Sequence, residues 1–304
     1  MVLGIDTSNY STSAALAGEE IKAETMLLPV KSGERGIRQS DAVFHHVRQL
    51  PLVIDRLRRQ ADGDITAIGV SVRPREAEGS YMPCFSVGEN TADVIGSLFG
   101  VPVYKTSHQV GHILAALYSA GRMDLVGERF IAFHVSGGTT DSLLCEPSDN
   151  IMRVTQIGTS LDLYAGQLVD RVGVKMGLDF PCGIALEKLA AQSEGRPSAK
   201  PVMRGCDACM SGFENQADKL MEKGASHEDT AYFVLSAVCE TVFSMTSAAR
   251  KRYGDLPVVY AGGVMSDKLI RDRLSSAGGT FFAAPEFSRD NAVGVALYGK
   301  LSSQ

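Results

Sequence analysis

Each half of the chain opens with an apolar run, a short polar turn and a second extended run, which is the pattern of two paired strands. In the first half these runs are residues 2–6 and 13–17, and in the second half they are residues 130–135 and 142–145. Helical and strand-like patterns alternate after both units. The repetition predicts a duplicated α/β architecture of two lobes with a central cleft.

The length of the chain suits two domains of ordinary size, because 304 residues exceed what one hydrophobic core usually organises. A composition of 44% hydrophobic and 21% charged residues excludes a disordered or fibrous chain. We predict a first lobe over residues 1–122, completed by residues 291–304, and a second lobe over residues 123–290.

Charge and cysteine content narrow the class of protein further. Lys and Arg number 30 against 35 Asp and Glu, so the chain is not a polycation that coats nucleic acid, and any RNA contact needs a local patch. Residues 35–75 carry eight Arg against four acids, which favours either an RNA face or a solvated helix surface.

The start lacks a basic leader and no apolar run is long enough to cross a membrane, which predicts a cytoplasmic protein without a membrane partner. Six sparse cysteines fit a reducing compartment, and the role of the Cys206 and Cys209 pair is left open.

Three turns of small residues each follow an apolar strand, at residues 6–8, 136–141 and 261–263. Glycine lets backbone N–H groups approach a phosphate closely, and an aspartate can hold a cation or a water molecule. A strand that ends in Gly-Gly is equally typical of a packing corner. The occurrence of three such turns favours nucleotide binding.

A metal site is indicated by His108 and His112, which lie four residues apart and would share one face of a helix. Such a pair also occurs by chance. Asp290 offers a hard oxygen ligand, and His134 is either a further ligand or a hydrogen-bonded core residue. A zinc protease of the common helical type is disfavoured, because residues 109–111 lack the glutamate that would act as general base.

Taken in order along the chain, these motifs resemble those of the threonylcarbamoyl transferase family. This family comprises bacterial TsaD and its archaeal and eukaryotic counterparts, which were formerly described as O-sialoglycoprotein endopeptidases. The likeness spans nearly the whole chain. It runs through Gly4-Ile5-Asp6-Thr7-Ser8, His46-Val47-Arg48, residues 108–112, Val135-Ser136-Gly137-Gly138, Leu161-Asp162, Ala165-Gly166 with Asp170, Ser211-Gly212, Ala261-Gly262-Gly263-Val264, Pro285-Glu286-Phe287 and residues 290–292.

The resemblance implies the ATPase fold shared by actin, hexokinase and DnaK, and transfer of a threonylcarbamoyl group to N6 of adenosine 37 in tRNA. It implies a divalent metal, with iron or zinc favoured and magnesium admitted, that is held by His108, His112 and Asp290. His134 stands where the archaeal branch has a ligating tyrosine. It also implies ATP, ADP or threonylcarbamoyl-AMP as the nucleotide. The implied contacts to it are Ser136, Gly137, Gly138, Thr139, Asp162, Gly166, Asp170, Gly183, Gly262, Gly263 and Asp267.

Several residues depart from the family pattern. The family usually has Cys-Asp-Glu where this chain has Asn9, Tyr10 and Ser11, which makes these three the candidate catalytic residues. Residues 73–75 read Arg-Pro-Arg in place of Gly-Pro-Gly, and Gln167 replaces a glutamate. We therefore predict a divergent member or a paralogue with another acceptor, and a noncatalytic scaffold subunit is a further alternative. The implied partners are tRNA and TsaB-like and TsaE-like proteins, and a homodimer is left open.

Overall fold

The described residues form two mixed sheets with flanking helices. The computed structural model describes residues 1–8, 10–29, 37–61, 63–288 and 292–304. The strands are β1 (Val2–Asp6), β2 (Ser11–Ala17), β3 (Ile21–Leu27), β4 (Ala67–Arg73), β5 (Val103–Ser107), β6 (Phe130–Val135), β7 (Thr140–Ser148), β8 (Ile151–Thr159), β9 (Val202–Arg204), β10 (Asp207–Cys209), β11 (Val258–Ala261) and β12 (Thr280–Phe282). The helices are α1 (Gln39–Arg58), α2 (Phe85–Phe99), α3 (His108–Ser119), α4 (Ala165–Lys175), α5 (Gly183–Ala190), α6 (Ser211–Glu222), α7 (His227–Tyr253), α8 (Lys268–Ser275) and α9 (Ala292–Ser302).

The two large sheets repeat one topology. The first has the order β3-β2-β1-β4-β5, and the second has the order β12-β11-β6-β7-β8. In the first, β1 pairs antiparallel with β2 and parallel with β4, and in the second β6 pairs antiparallel with β7 and parallel with β11. Each sheet therefore has a central strand, a hairpin on one side and parallel strands on the other. This repetition confirms the predicted duplicated α/β fold.

The chain divides into two compact units. The first unit comprises Met1–Gly127, Pro147–Arg153 and Glu286–Gln304, and the second comprises Glu128–Glu146 and Val154–Pro285. The chain thus passes between the units after residues 127, 146, 153 and 285, and the lobe boundaries predicted at residues 122 and 290 stay predictions. The C-terminal helix α9 belongs to the first unit.

Helix α9 packs closely within the first unit because glycines lie at its points of contact. A Cβ atom on Gly4 of β1 would collide with the carbonyl oxygen of Ala292, and one on Gly69 of β4 would collide with that of Val295. A Cβ atom on Gly294 would collide with the carbonyl oxygen of Gly111, which lies in α3. These glycines let α9 approach both the sheet and α3, and so they fix α3 against the sheet.

Helix α7 forms the core of the second unit. Its buried side chains include Val238, Val242 and Met245, which pack with Tyr260 of β11 in one hydrophobic cluster. By length and composition, α7 could cross a membrane, but 61% of its most apolar stretch is buried in the unit. The burial identifies α7 as a core helix.

Candidate functional sites in the two units

A fully buried carboxylate ends the central strand of the first unit. Asp6 is the last residue of β1, and its Oδ1 accepts hydrogen bonds from the Ser71 hydroxyl and from Nδ1 of His108, the latter at 3.0 Å. Ser71 lies on β4, which runs parallel to β1, so the two strands end at the same edge of the sheet. Burial by itself would raise the pKa of Asp6, but the His108 imidazole and the Ser71 hydroxyl lower it below its ordinary value.

His108 and His112 lie together on the first turns of α3. The Ser107 hydroxyl caps this helix by accepting a hydrogen bond from the backbone N–H of Val110 at 3.2 Å. The two imidazole rings meet edge to face, with centroids 4.6 Å apart, and both side chains are half-buried. The structure therefore brings the two predicted metal ligands into contact with each other.

The donor atoms around this pair suit a divalent metal. Imidazole nitrogens and carboxylate oxygens are ligands of iron and zinc, and Oδ2 of the buried Asp6 makes no hydrogen bond to any described residue. Among the described residues no group of three His, Cys, Asp or Glu side chains could hold a metal ion. Asp290 lies outside the described residues, and His134 lies on β6 of the second unit. Their roles as ligands stay predictions.

His46 is a fully buried imidazole of the first unit, which the sequence did not indicate as a site residue. Its Nδ1 lies 2.8 Å from the Thr12 hydroxyl, which in turn donates to Oε1 of Gln49 at 2.8 Å. Burial lowers the pKa of His46 to about 4, although the nearby Asp6 carboxylate acts to raise it. His46 is therefore neutral near pH 7. Asp6 is likewise absent from the predicted site residues, although its place as an acid at the end of an apolar strand could have indicated it.

The three candidate catalytic residues lie in and after the β1–β2 turn. Asn9 is outside the described residues. Tyr10 has 52% of its surface exposed, and its carbonyl accepts a hydrogen bond from the N–H of Leu28 at 2.9 Å. Ser11 begins β2 opposite Leu27 of β3. The catalytic role of these residues stays a prediction.

The Arg-Pro-Arg loop lies beside the start of α3. The guanidinium of Arg73 donates to both carboxylate oxygens of Glu76, at 3.0 and 2.8 Å. The Pro74 carbonyl accepts a hydrogen bond from the N–H of Gln109 at 3.0 Å. The loop is therefore tied to the helical turn that carries the two histidines, and the ion pair of Arg73 with Glu76 is a contact that a Gly-Pro-Gly turn would lack.

An open backbone turn follows the central strand of the second unit. The Ser136 hydroxyl accepts a hydrogen bond from the N–H of Gly138 at 3.2 Å, and its N–H donates to the Thr139 carbonyl at 2.8 Å. Gly137 and Gly138 are exposed, and Cβ atoms at both positions would meet nothing within 4 Å. A Cβ atom on Gly166 would lie 2.6 Å from the backbone nitrogen of Gly137, so α4 begins directly against this turn.

A second glycine turn lies at the same edge of that sheet. Gly262 follows β11, has a φ of +101° and could not carry a Cβ atom without a collision with the Val135 carbonyl. Gly263 is exposed and its surroundings are open. Because β6 and β11 run parallel, the two turns follow neighbouring strand ends. The exposed glycines of the two turns suit a phosphate group, whereas the N–H groups of Ala165 and Gly166 at the start of α4 already donate to the Thr140 hydroxyl and the Ser136 carbonyl.

The predicted acidic contacts of the second unit have distinct surroundings. Oδ1 of Asp170 accepts a hydrogen bond from the N–H of Cys182 at 2.9 Å, which brings Asp170 next to Gly183 at the start of α5. Both oxygens of Asp162 are engaged, Oδ1 by the N–H of Met210 at 2.7 Å and Oδ2 by the Ser211 hydroxyl at 2.6 Å. These bonds hold the start of α6.

Asp267 is the N-cap of α8. Its Oδ1 accepts a hydrogen bond from the N–H of Ile270 at 3.0 Å. Burial raises the pKa of Asp267 to about 6. The nucleotide contacts assigned to Asp162, Asp170 and Asp267 stay predictions, and the structure adds a structural role for each carboxylate.

Proteins of known structure place this chain in the class of actin-like and hexokinase-like ATPase folds. A full-length HypF crystal structure in a phosphate- and nucleotide-bound form matches 99% of this chain and 46% of HypF, with a TM-score of 0.64 and 13% identity. An archaeal actin homologue gives a TM-score of 0.53 at 13% identity, and a ROK hexokinase from Thermus thermophilus gives 0.52 at 16% identity. Both cover nearly the whole chain. The predicted fold class is confirmed.

Sequence comparisons identify the family within that class. The model of the TsaD family, described as tRNA N6-adenosine threonylcarbamoyltransferase, matches residues 22–297. A protein of Bacillus licheniformis with the same description is 29% identical over 99% of this chain and 91% of its own length. A probable bifunctional tRNA threonylcarbamoyladenosine biosynthesis protein of Thermoplasma acidophilum is 27% identical, and this chain spans about half of its length, 55%.

The chain belongs to the tRNA N6-adenosine threonylcarbamoyltransferase family. The family, the transferase class and the link to threonylcarbamoyladenosine synthesis that the motifs predict are thus confirmed.

Proposed function

We propose that this chain transfers a threonylcarbamoyl group from threonylcarbamoyl-AMP to N6 of adenosine 37 in tRNA, in the cytoplasm and together with TsaB-like and TsaE-like proteins. The observation that carries the proposal is the pair of imidazoles on α3, with ring centroids 4.6 Å apart, one of which is held by a buried carboxylate. A structural helix has no need of such a polar cluster next to a buried charge.

His108 and His112 would hold the divalent metal in the first unit. Asp290 and His134 are the further ligands that the family resemblance implies. When bound, the metal supplies a Lewis acid that polarises the acyl oxygen and offsets phosphate charge as AMP leaves. Iron or zinc suits the nitrogen and oxygen donors, and magnesium suits them less well.

The second unit would bind the nucleotide mainly through its backbone. The N–H groups of Gly137 and Gly263 in the open turns are the donors proposed for the phosphate oxygens, since those of Ser136 and Gly138 already bond within the first turn, and the start of α4 adds its favourable dipole. Asp170 and Gly183 are proposed to receive the ribose, since they lie together at the start of α5. Asp162 and Asp267 are proposed as further nucleotide contacts, and each of them also accepts backbone hydrogen bonds.

The test is transfer by the purified chain. Wild type, His108→Ala and His112→Ala are each supplied with threonylcarbamoyl-AMP, unmodified tRNA and the TsaB-like and TsaE-like proteins, and modified adenosine is measured by mass spectrometry of digested tRNA. We expect the wild type to form the product and each histidine variant to lose roughly 100-fold or more in rate. A wild-type chain that fails to modify tRNA in the presence of metal and partners would refute the proposed acceptor.

A second candidate function is transfer of a related group to another acceptor. It is favoured by the Arg-Pro-Arg loop, whose Arg73 is held by Glu76 and whose Pro74 is bonded to the start of α3. The same incubation separates the two candidates. If AMP is released from threonylcarbamoyl-AMP at a rate that depends on His112 while the tRNA stays unmodified, the threonylcarbamoyl group has passed to water, and the chain cleaves the activated group without accepting this tRNA, as the second candidate expects.

A further inference from the structure

We infer that Thr12, His46 and Gln49 form a clamp that positions the β1–β2 turn for the reaction. Two of the candidate catalytic residues, Tyr10 and Ser11, directly precede Thr12 in the chain. His46 and Gln49 lie on α1 and act through Thr12, so their part in the reaction is one of positioning. The inference rests on the proposed function, because only the transfer reaction gives Tyr10 and Ser11 a role.

The hydrogen bonds of the clamp can run in only one direction. Nε2 of Gln49 donates to the Leu27 carbonyl at 3.1 Å, so Oε1 of the same amide is the atom that accepts from the Thr12 hydroxyl at 2.8 Å. The hydroxyl has a single proton, and it therefore accepts from the protonated Nδ1 of His46 at 2.8 Å. Each side chain of the clamp thus fixes the orientation of the next one.

The clamp lies where water competes little for its hydrogen bonds. Thr12 and His46 are fully buried, and Gln49 is half-buried. Hydrogen bonds that are shielded from water are stronger, and a broken one leaves a buried polar group unpaired. Any rotation of the Thr12 side chain would break two such bonds at once. The start of β2 is therefore held by a side chain as well as by its pairing with the neighbouring strands.

The His46 end of the clamp reaches the strand on the other side of the turn. Burial lowers the pKa of His46 to about 4, whereas the Asp6 carboxylate and the Ser8 backbone act to raise it. Such effects on a buried imidazole come from groups close to the ring. His46 thus lies beside Asp6 and Ser8, where β1 ends, while its Nδ1 is bonded to Thr12 in β2. The ring spans the two strands that the turn connects.

The Gln49 end of the clamp supports the backbone of Tyr10. Gln49 bonds to the carbonyl of Leu27, the last residue of β3. The N–H of the next residue, Leu28, donates to the Tyr10 carbonyl at 2.9 Å. Because 52% of the Tyr10 surface is exposed, this backbone bond is one of the contacts that decide where its side chain lies. Loss of the clamp would loosen both sides of the turn, and small displacements of a reacting group cost much of the rate.

The test is a kinetic comparison of Thr12→Val with Thr12→Ser. Valine keeps the shape of threonine and removes the hydroxyl, whereas serine keeps the hydroxyl. Transfer to unmodified tRNA is measured for the full-length chain with the TsaB-like and TsaE-like proteins, at several concentrations of threonylcarbamoyl-AMP. We expect Thr12→Val to lower kcat roughly 10- to 100-fold and to keep KM within about twofold of the wild type, because positioning is lost while binding is kept. Thr12→Ser should restore kcat to within about threefold of the wild type.

Thr246→Val in the second unit is the matched control. Like Thr12, Thr246 is buried, and its hydroxyl makes two hydrogen bonds, with the Val242 carbonyl at 2.8 Å and with the Tyr260 hydroxyl at 2.7 Å. Urea denaturation of both valine variants measures what the lost hydroxyl does to the free energy of unfolding. We expect comparable losses of stability in the two variants, and a loss of kcat in Thr12→Val alone.

The outcomes separate this inference from the proposed function. A wild type that does not modify tRNA refutes the proposed function, and the part of the clamp in the reaction falls with it. If the wild type is active and Thr12→Val keeps its kcat, the inference alone is refuted. Equal losses of kcat in Thr12→Val and Thr246→Val also refute it, since the loss would then follow from stability. Should Thr12→Val fail to fold, Gln49→Met decides, because it breaks the same clamp at its half-buried end and an unchanged kcat in that variant overturns the inference.

Discussion

The two turns that follow the central strands occupy equivalent places in the duplicated fold, yet they differ in chemistry. In the first unit the strand ends in a buried carboxylate that is bonded to a hydroxyl and an imidazole. In the second unit the strand ends in Val135, and the turn that follows consists of exposed glycines between hydroxyl residues. The first turn presents polar side chains, and the second presents backbone groups that no side chain covers.

The difference teaches how a duplicated fold can bind two kinds of group. A cation such as iron or zinc is held best by imidazole nitrogens and carboxylate oxygens, which are side-chain groups. A phosphate is satisfied by backbone N–H groups, provided that no Cβ atom keeps it at a distance. In the function that we propose, one topology would therefore hold a metal in one unit and a nucleotide in the other, according to which residues end the central strands.

The largest effect that we predict concerns the backbone of the second unit. Gly262→Ala should lower the free energy of unfolding by about 4 kcal/mol, since a φ of +101° strains any L residue and the added Cβ atom would collide with Val135. The matched control is Gly263→Ala, where the Cβ atom meets nothing within 4 Å, and we expect it to change the free energy of unfolding by about 1 kcal/mol or less in either direction. Urea denaturation measures both. Equal losses in the two variants would show that the backbone of this turn is not specially constrained.

The next effect concerns side chains of the first unit and depends on pH. The pKa of His46 is lowered to about 4 by burial, so its stabilising contribution is present above the unfolded pKa of about 6.5 and is lost as the pH falls through both values. We expect the wild type to lose about 3 kcal/mol from this group between about pH 7 and pH 4.

His46→Gln should remove that part of the pH dependence, because glutamine can bond to Thr12 without titrating. Urea denaturation at several pH values gives the slope. A variant with the slope of the wild type would mean that another group of the first unit titrates in this range.

Asp267 of the second unit should show the opposite sign. Its pKa is raised to about 6 by burial, so its contribution is fully present below the unfolded pKa of about 3.8 and is lost as the pH rises through about 6. Asp267→Asn keeps a good N-cap for α8 and removes the cost of the buried charge, and we expect it to be more stable than the wild type by about 2 kcal/mol near pH 7. Thermal unfolding near pH 7 and pH 4 tests this, and the gain should vanish at the lower pH.

Much of the fold could be predicted from the sequence because its signals are local. The apolar run at residues 130–135 and the glycine turn after it were sufficient to indicate a strand and its end. The spacing of His108 and His112 indicated that the rings share one face, since four residues make about one helical turn. These features depend on residues that are close along the chain.

The rest depends on contacts between distant residues. Asp6 is hydrogen-bonded to His108, 102 positions away in the sequence, and to Ser71, 65 positions away. No periodic pattern in the sequence predicts such pairs. Residues 194–212 are rich in Gly, Pro and Ser, which is typical of a loop. They nevertheless contain the short strands β9 and β10, which pair with each other. The hydrogen bonds from Met210 and Ser211 to Asp162 could likewise not be predicted, because the donors lie at least 48 positions further along the chain.

Substitution of Asp170 tests whether nucleotide binding by the second unit depends on backbone groups alone. It is the side chain that the resemblance gives to the ribose, and Asp170→Ala should weaken ADP binding about fivefold, equivalent to roughly 1 kcal/mol for one hydrogen bond. Asp170→Asn is the control for the bond to Cys182, since an asparagine oxygen can still accept from that N–H. Calorimetric titration with ADP measures each variant. If Asp170→Ala binds like the wild type, the carboxylate is not a nucleotide contact. If it loses 100-fold while Asp170→Asn does not, the second unit depends on a side chain as much as the first, because the backbone turns alone could not account for that loss.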